Sequence, residues 1–258
     1  MVNHGRLFLL EVACSPESTL TAEALTQGLA AKRASLHNGC DLTTPEGLRN
    51  TLEIVREGRP EHVWISTECG PYSPMQNCNQ RNEQQIQDLE KKKREARKQY
   101  LGGLVVAYYA RSLGSEVHWE WSRRCRAWKW KNFERFREHV GTFTAIVGGC
   151  RVDLFVPNTR KFIQKEWRIE TTHEGFSKSL HLPCLRDACQ GEHTPCEGRL
   201  TRMSAFYPVK MAKRIIRCLR NLVTKETVQA CVEQGRSEHP QKPQIGPFWL
   251  VTIVIASC

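Results

Sequence analysis

Short apolar runs alternate with segments of helical pattern along most of this chain, and that alternation restricts the fold more than any other feature. Residues 6–13 (RLFLLEVA) form an apolar run of strand length, and residues 20–29 carry a helix pattern with Thr19 or Thr21 as a start signal and Gly28 near the end. Residues 31–36 read as a second, more polar strand. Thr43 and Glu46 form a capping box around Pro45, so a helix is expected from there to Gly58. Residues 62–66 (HVWIS) read as a third strand, followed by the turn CGPYSP and a long helix over 82–113. Further strands are expected over 116–121 and 142–147, with a helix over 128–140 between them. Later pieces fall at 152–156, at 168–172 and in a helix over 208–223. Strands alternating with helices imply parallel βαβ crossovers and a sheet covered on both faces. Ligands bind beyond the carboxyl ends of such strands, so the informative residues should follow Ala13, Asp41, Ser66 and Trp121.

The formal net charge is +11, which favours polyanionic partners, nucleic acid first; the plainer alternative is a basic surface. The first residues carry no separate basic, apolar and cleavage segments, so an intracellular protein, nuclear or cytoplasmic and not secreted, is expected. Its twelve cysteines are then expected as thiols, most of them core residues and some free to bind metal or do chemistry. Residues 1–225 read as one α/β domain, and 226–258 as a polar linker with an apolar tail. The tail is about ten residues long, half of a membrane span, so no membrane partner is expected. Oligomeric state is left open.

Three places carry candidate chemistry. Cys69, in the turn after the third strand, sits where amides of a tight turn lower a thiol's pKa; the alternative is a small buried thiol. Glu120, between Trp119 and Trp121, would be desolvated and its pKa raised toward proton donation; the alternative is a structural ion pair. Cys184, Cys189, His193 and Cys196 suit a tetrahedral zinc, with His181 as a spare ligand, against the alternative of unbound loop cysteines. In the aromatic-basic stretch 122–139, Trp128 and Trp130 could stack on bases, or pack as one face of an amphipathic helix. Arg123, Arg124 and Arg126 rim the expected pocket. No GxxxxGK[ST] loop is present, which argues against a nucleoside triphosphatase.

These residues carry a family resemblance. Cys69 in ECGPYSPMQN resembles the nucleophile motif of DNA cytosine-5 methyltransferases, and Glu120 in WEWS resembles their Glu-Asn-Val motif. Gly39-Cys40-Asp41-Leu42 resembles their adenine-contacting loop, and residues 10–15 lie where their cofactor loop begins. Over residues 7–219 the chain is similar to a methyltransferase-like domain of retrotransposon-type polyproteins of protists, through NGCDLTTPEG, WISTECGPYSPMQN, WEWSRRCRAW, GCRVDL and CEGRLTR. The resemblance implies a Rossmann-like, S-adenosylmethionine-dependent methyltransferase fold with a mostly parallel, doubly wound sheet and a Cys/His-containing loop region. It implies that Cys69 adds to C6 of a flipped cytosine while Glu120 holds and protonates the N3 edge. It places S-adenosylmethionine across the first two strand ends, near Glu11, Ala13, Ser15 and Asp41, and assigns Lys165 and Arg168 to phosphates of nucleic acid, DNA ahead of RNA, a preference the sequence itself leaves open.

The chain also departs from the family. Ala13, Ser15 and Glu17 stand where that loop uses glycines, Glu68 replaces the proline before the nucleophile, and Trp121 replaces the asparagine after the acid. The Glu68 carboxylate is expected to raise the Cys69 thiol. These changes bear on methyl transfer more than on fold. The leading expectation is therefore a DNA cytosine methyltransferase-like domain, catalytically degenerate or not. The rivals are a non-catalytic nucleic-acid-binding module and a polyprotein fragment without independent activity.

Overall fold

The computed structural model describes residues 6–79, 82–189 and 191–234, with backbone alone at 77–79, 187 and 223–234. The chain runs β1 (Leu9–Val12), α1 (Thr19–Thr26), β2 (Ala31–Ala34), α2 (Pro45–Gly58), β3 (His62–Ile65), α3 (Glu83–Ser112), β4 (Glu116–Ser122), α4 (Lys131–Val140) and β5 (Phe143–Gly148). It continues through β6 (Phe162–Gln164), β7 (Glu166–Thr171), α5 (Glu174–Leu180), β8 (His193–Pro195), α6 (Arg199–Met203) and α7 (Val209–Gln234). Six strands form one sheet in the order β2-β1-β3-β4-β7-β5. β1 is parallel to β2 and β3, β3 is parallel to β4, and β7 is antiparallel to both β4 and β5. This is a mixed α/β fold with a mostly parallel central sheet of six strands, compatible with a Rossmann-like fold. The strand order reverses between β1 and β3, and a crevice opens at the carboxyl ends of strands beside such a reversal.

Side chains alternate across the sheet, and that period of two sets the two layers. Leu10, Val12, Val63, Ile65, Val117, Trp119 and Trp121 enter one core with Val55 of α2, Tyr100, Leu104 and Ala107 of α3, and Phe133 and Phe136 of α4. The opposite face holds polar groups as well: Glu11, His62, His118 and Glu120 are all buried. On that face Phe176 of α5 packs on Trp64 and His118, with ring centroids 6.3 and 4.6 Å apart. The adjacent Trp119 and Trp121 therefore do not desolvate Glu120, because the strand turns them to the other layer.

Local chemistry explains the boundaries and corrects several expectations. Ser18, not Thr19 or Thr21, caps α1 by accepting from Leu20 N. Thr44, not Thr43, caps α2 by accepting from Gly47 N, with Pro45 in the first turn. The segment before α4 is a 3₁₀ turn over Arg126–Lys129, so the expected helix starts late. Residues 152–156 form no strand: a 3₁₀ turn spans Gly149–Val152, and Phe155 makes an isolated bridge to Phe162. The short β6, β8, α5 and α6 have no counterpart in the expected elements. The described residues from 6 to 222 form one compact unit. α7 runs on to Gln234, through the start of the segment expected as linker. The expected apolar tail lies outside the described residues. Among the described residues no helix is long and apolar enough to cross a membrane.

Candidate active site and metal centre

Cys69 ends the stretch leaving β3 and opens a 3₁₀ turn over Gly70–Tyr72, where its carbonyl accepts from Tyr72 N. It lines a cleft of about 420 Å³ together with Arg123, Arg124, Lys165 and Ser204. The Cys125 thiol donates to the Cys69 carbonyl oxygen at 3.9 Å, and its interaction with the Cys69 thiol holds that thiol below its usual pKa, with Lys165 in the same sense, against burial and the Glu120 charge. Cys125 is raised in turn, so it is the donor of the pair. The carboxylate that opposes the Cys69 thiolate is thus Glu120. Glu68 is exposed, and its own pKa is raised by partial burial with Lys92 opposing, so it does not play the role expected from its place in sequence.

Glu120 lies on β4 behind this cleft, in a buried polar network. Tyr207 Oη donates to Glu120 Oε2 at 2.6 Å, while Trp64 Nε1 donates to Tyr207 Oη and Ser66 Oγ, both at 3.0 Å. Burial raises the Glu120 carboxyl pKa, and Lys165 and Tyr207 pull the other way. A carboxyl raised by burial, with one oxygen fixed by a phenol, is shifted toward the form that donates a proton. Tyr207 was not a sequence candidate, because a lone tyrosine before a helix carries no motif. Lys165 does not face outward for phosphate: its Nζ donates to the Ser204 carbonyl and lies 5.0 Å from the Trp167 ring centre.

The expected cofactor residues divide. Glu11 is buried and spent on the start of α1: it accepts from Ser18 Oγ at 2.6 Å and from Thr21 N and Oγ1 at 3.1 and 2.5 Å. It anchors the loop and has no free side for a ligand. Ala13 takes φ +58°, the left-handed backbone that favours glycine. The turn thus survives without its glycine. Ser15 is half-buried, with its Oγ accepting from Glu17 N at 3.2 Å. Asp41 Oδ1 accepts from Thr43 N and Oγ1 at 2.9 and 2.8 Å, and Oδ2 has no partner among the described residues. Ala13, Ser15 and Asp41 do not line the Cys69 cleft.

The expected nucleic-acid contacts divide as well. Arg124 is exposed on the cleft wall and has no acidic partner among the described residues. Arg123 pairs with Glu166 at 2.9 Å at the same rim. Arg126 is exposed but does not line the cleft. Arg168 is spent internally: it pairs with Glu170 at 2.5 Å and lies 4.6 Å over the Trp128 ring. Trp128 is 4% exposed, and Phe133 and Phe136 are buried, so these rings serve the core and are not stacking platforms.

The metal-type cluster forms with one change of membership. Cys150, Cys184, Cys189 and His193 have ligand atoms all within 4.8 Å of one another. His193 Nε2 lies 3.7 Å from Cys184 Sγ and 3.8 Å from Cys189 Sγ. A tetrahedral zinc with bonds of about 2.3 Å to sulfur and 2.0 Å to nitrogen needs ligand–ligand edges of roughly 3.6 Å, so the donors fit. Cys196 instead contacts Ser204 Oγ at 3.2 Å, and His181 Nδ1 accepts from Ile146 N at 3.2 Å; neither belongs to the cluster. Cys150 replaces Cys196 because the turn after β5 meets the 184 loop: a Cβ on Gly148 would come within 2.7 Å of Cys184 N. Burial and the neighbouring thiols push Cys150 up to about 12.

No family model matches the chain, and no curated protein matches it.

Proposed function

We propose that this chain is a nucleic-acid methyltransferase-like domain directed at cytosine, with DNA ahead of RNA as its substrate and a mobile-element polyprotein as its source. The observation that supports the reading is that Cys69 lines a cleft rimmed by arginine, while Glu120 is buried on β4, the strand next to the one Cys69 follows. S-adenosylmethionine, when bound, would supply the methyl group, held by the turn at Ala13 and Ser15 and by the free Oδ2 of Asp41. Cys69, as thiolate, adds to C6 of the base, the C5–C6 π electrons make C5 the atom that would take the methyl group, and loss of the C5 proton to solvent then expels the thiolate. The thiol of Cys125 and the ammonium of Lys165 favour that thiolate. Glu120 gives its proton to N3 while Tyr207 fixes its other oxygen. Arg123 and Arg124 neutralise flanking phosphates. Zinc, held by Cys150, Cys184, Cys189 and His193, would tie the loops that form one wall of this cleft.

Calorimetric titration with S-adenosylmethionine is expected to show one saturable site. Transfer to a cytosine-containing oligonucleotide should vanish in Cys69→Ala and fall about 10²-fold or more in Glu120→Gln. No binding and no transfer would overturn the enzyme reading. A second reading, a binding module that kept the fold, is favoured by one observation: the Glu11 carboxylate is consumed by α1. Salt-sensitive oligonucleotide binding without cofactor affinity would establish it.

A further inference from the structure

α7 carries Lys210, Lys213, Arg214, Arg217 and Arg220 at helical spacing, and all five line one groove of about 1050 Å³ with Arg151 from the turn after β5. Among the described residues two acids line the groove with them, Glu23 and Asp153, and Asp153 is tied to Lys210 at 2.9 Å. Lys213, Arg217 and Arg151 have no acidic partner among the described residues. Six cations facing two acids repel one another, and a polyanion relieves that cost. Among the described residues no aromatic ring lines the groove, and these offer nothing for a base to stack on. From Lys210 to Arg220 the helix spans about 15 Å, enough for two or three phosphates of one strand. Cys150 lines both this groove and the Cys69 cleft, so the two share a wall.

We infer that the α7 groove holds the sugar-phosphate backbone of the same nucleic-acid strand whose base is offered to Cys69. This inference rests on the nucleic-acid reading above and adds the path of the strand. Contacts of this kind fix register without reading sequence, so the groove supplies affinity and the cleft supplies selection.

The test is fluorescence anisotropy of the full chain with a labelled single-stranded 20-mer over a series of salt concentrations. Lys213→Ala/Arg217→Ala should bind about tenfold more weakly at moderate salt, and the slope of log K against log salt should shrink by about 1.5. Both side chains are exposed, so the melting curve should match the parent. The pair Lys91→Ala/Lys92→Ala removes equal charge from α3 and should leave affinity and slope unchanged. If the parent binds and the α7 pair binds equally well, the groove assignment fails while the methyltransferase-like reading stands. If both pairs weaken binding equally, net charge is the cause and the groove is not a site. Polyglutamate competing as well as the oligonucleotide would replace the strand by an acidic peptide. No binding by the parent would remove the groove proposal and the nucleic-acid reading together.

Discussion

Cys150 and Cys196 make opposite predictions about the metal centre. Protein purified with zinc should carry one equivalent by elemental analysis. Cys150→Ser should lose most of it, because one of four donors within 4.8 Å is gone. Cys196→Ser should keep it; retention in the first variant and loss in the second would restore the ligand set expected from sequence spacing. The spacing within residues 184–196 was legible, but a fourth ligand arriving from the end of β5 was not, since only the folded chain brings them together. Ala13 offers a second residue-scale check. A left-handed alanine costs about 1–2 kcal/mol, and glycine repays part of that through its own entropy, so Ala13→Gly should gain about 0.5 kcal/mol in urea unfolding. A loss of stability would show that the Ala13 side chain packs better than its backbone suffers.

At the scale of elements, β3 and β4 bury a pair of histidines. His62 Nδ1 and His118 Nε2 lie 3.2 Å apart, and His118 Nδ1 meets Thr171 Oγ1 at 2.9 Å. Burial lowers His62 to about 3, with His173 and Arg6 adding to the effect. The unfolded chain takes up this proton near pH 6.5 and the folded chain only near 3, so stability is lost as pH falls through that window. The parent's melting temperature should therefore drop between pH 7 and 5 more steeply than that of His62→Asn; parallel slopes would refute the assignment. The order of strands and long helices was legible because apolar runs and caps are local signals. The short β6 and β8 were not, since a three-residue pairing depends on neighbours distant in sequence. Nor could local pattern show that Trp119 and Trp121 face one layer and Glu120 the other once the polar face is itself buried.

Across the whole molecule, charge and cleft belong to one design. The chain's surplus of +11 was legible from composition, yet its placement along α7 and the spending of Arg168 and Lys165 inside the fold were not. What unifies the molecule is a thiol lowered in pKa after one strand of a mostly parallel sheet, beside a strand whose buried acid is raised. Addition of that thiol to C6 of cytosine makes C5 basic, so C5 takes a proton from solvent and gives up its original hydrogen when the thiol leaves. The most direct measurement is therefore exchange of the cytosine C5 hydrogen for deuterium in an oligonucleotide incubated with the protein in D₂O, read by mass spectrometry. The account predicts exchange that is lost in Cys69→Ala and slowed in Glu120→Gln; no exchange by a protein that binds the oligonucleotide, or undiminished exchange in Cys69→Ala, would contradict it.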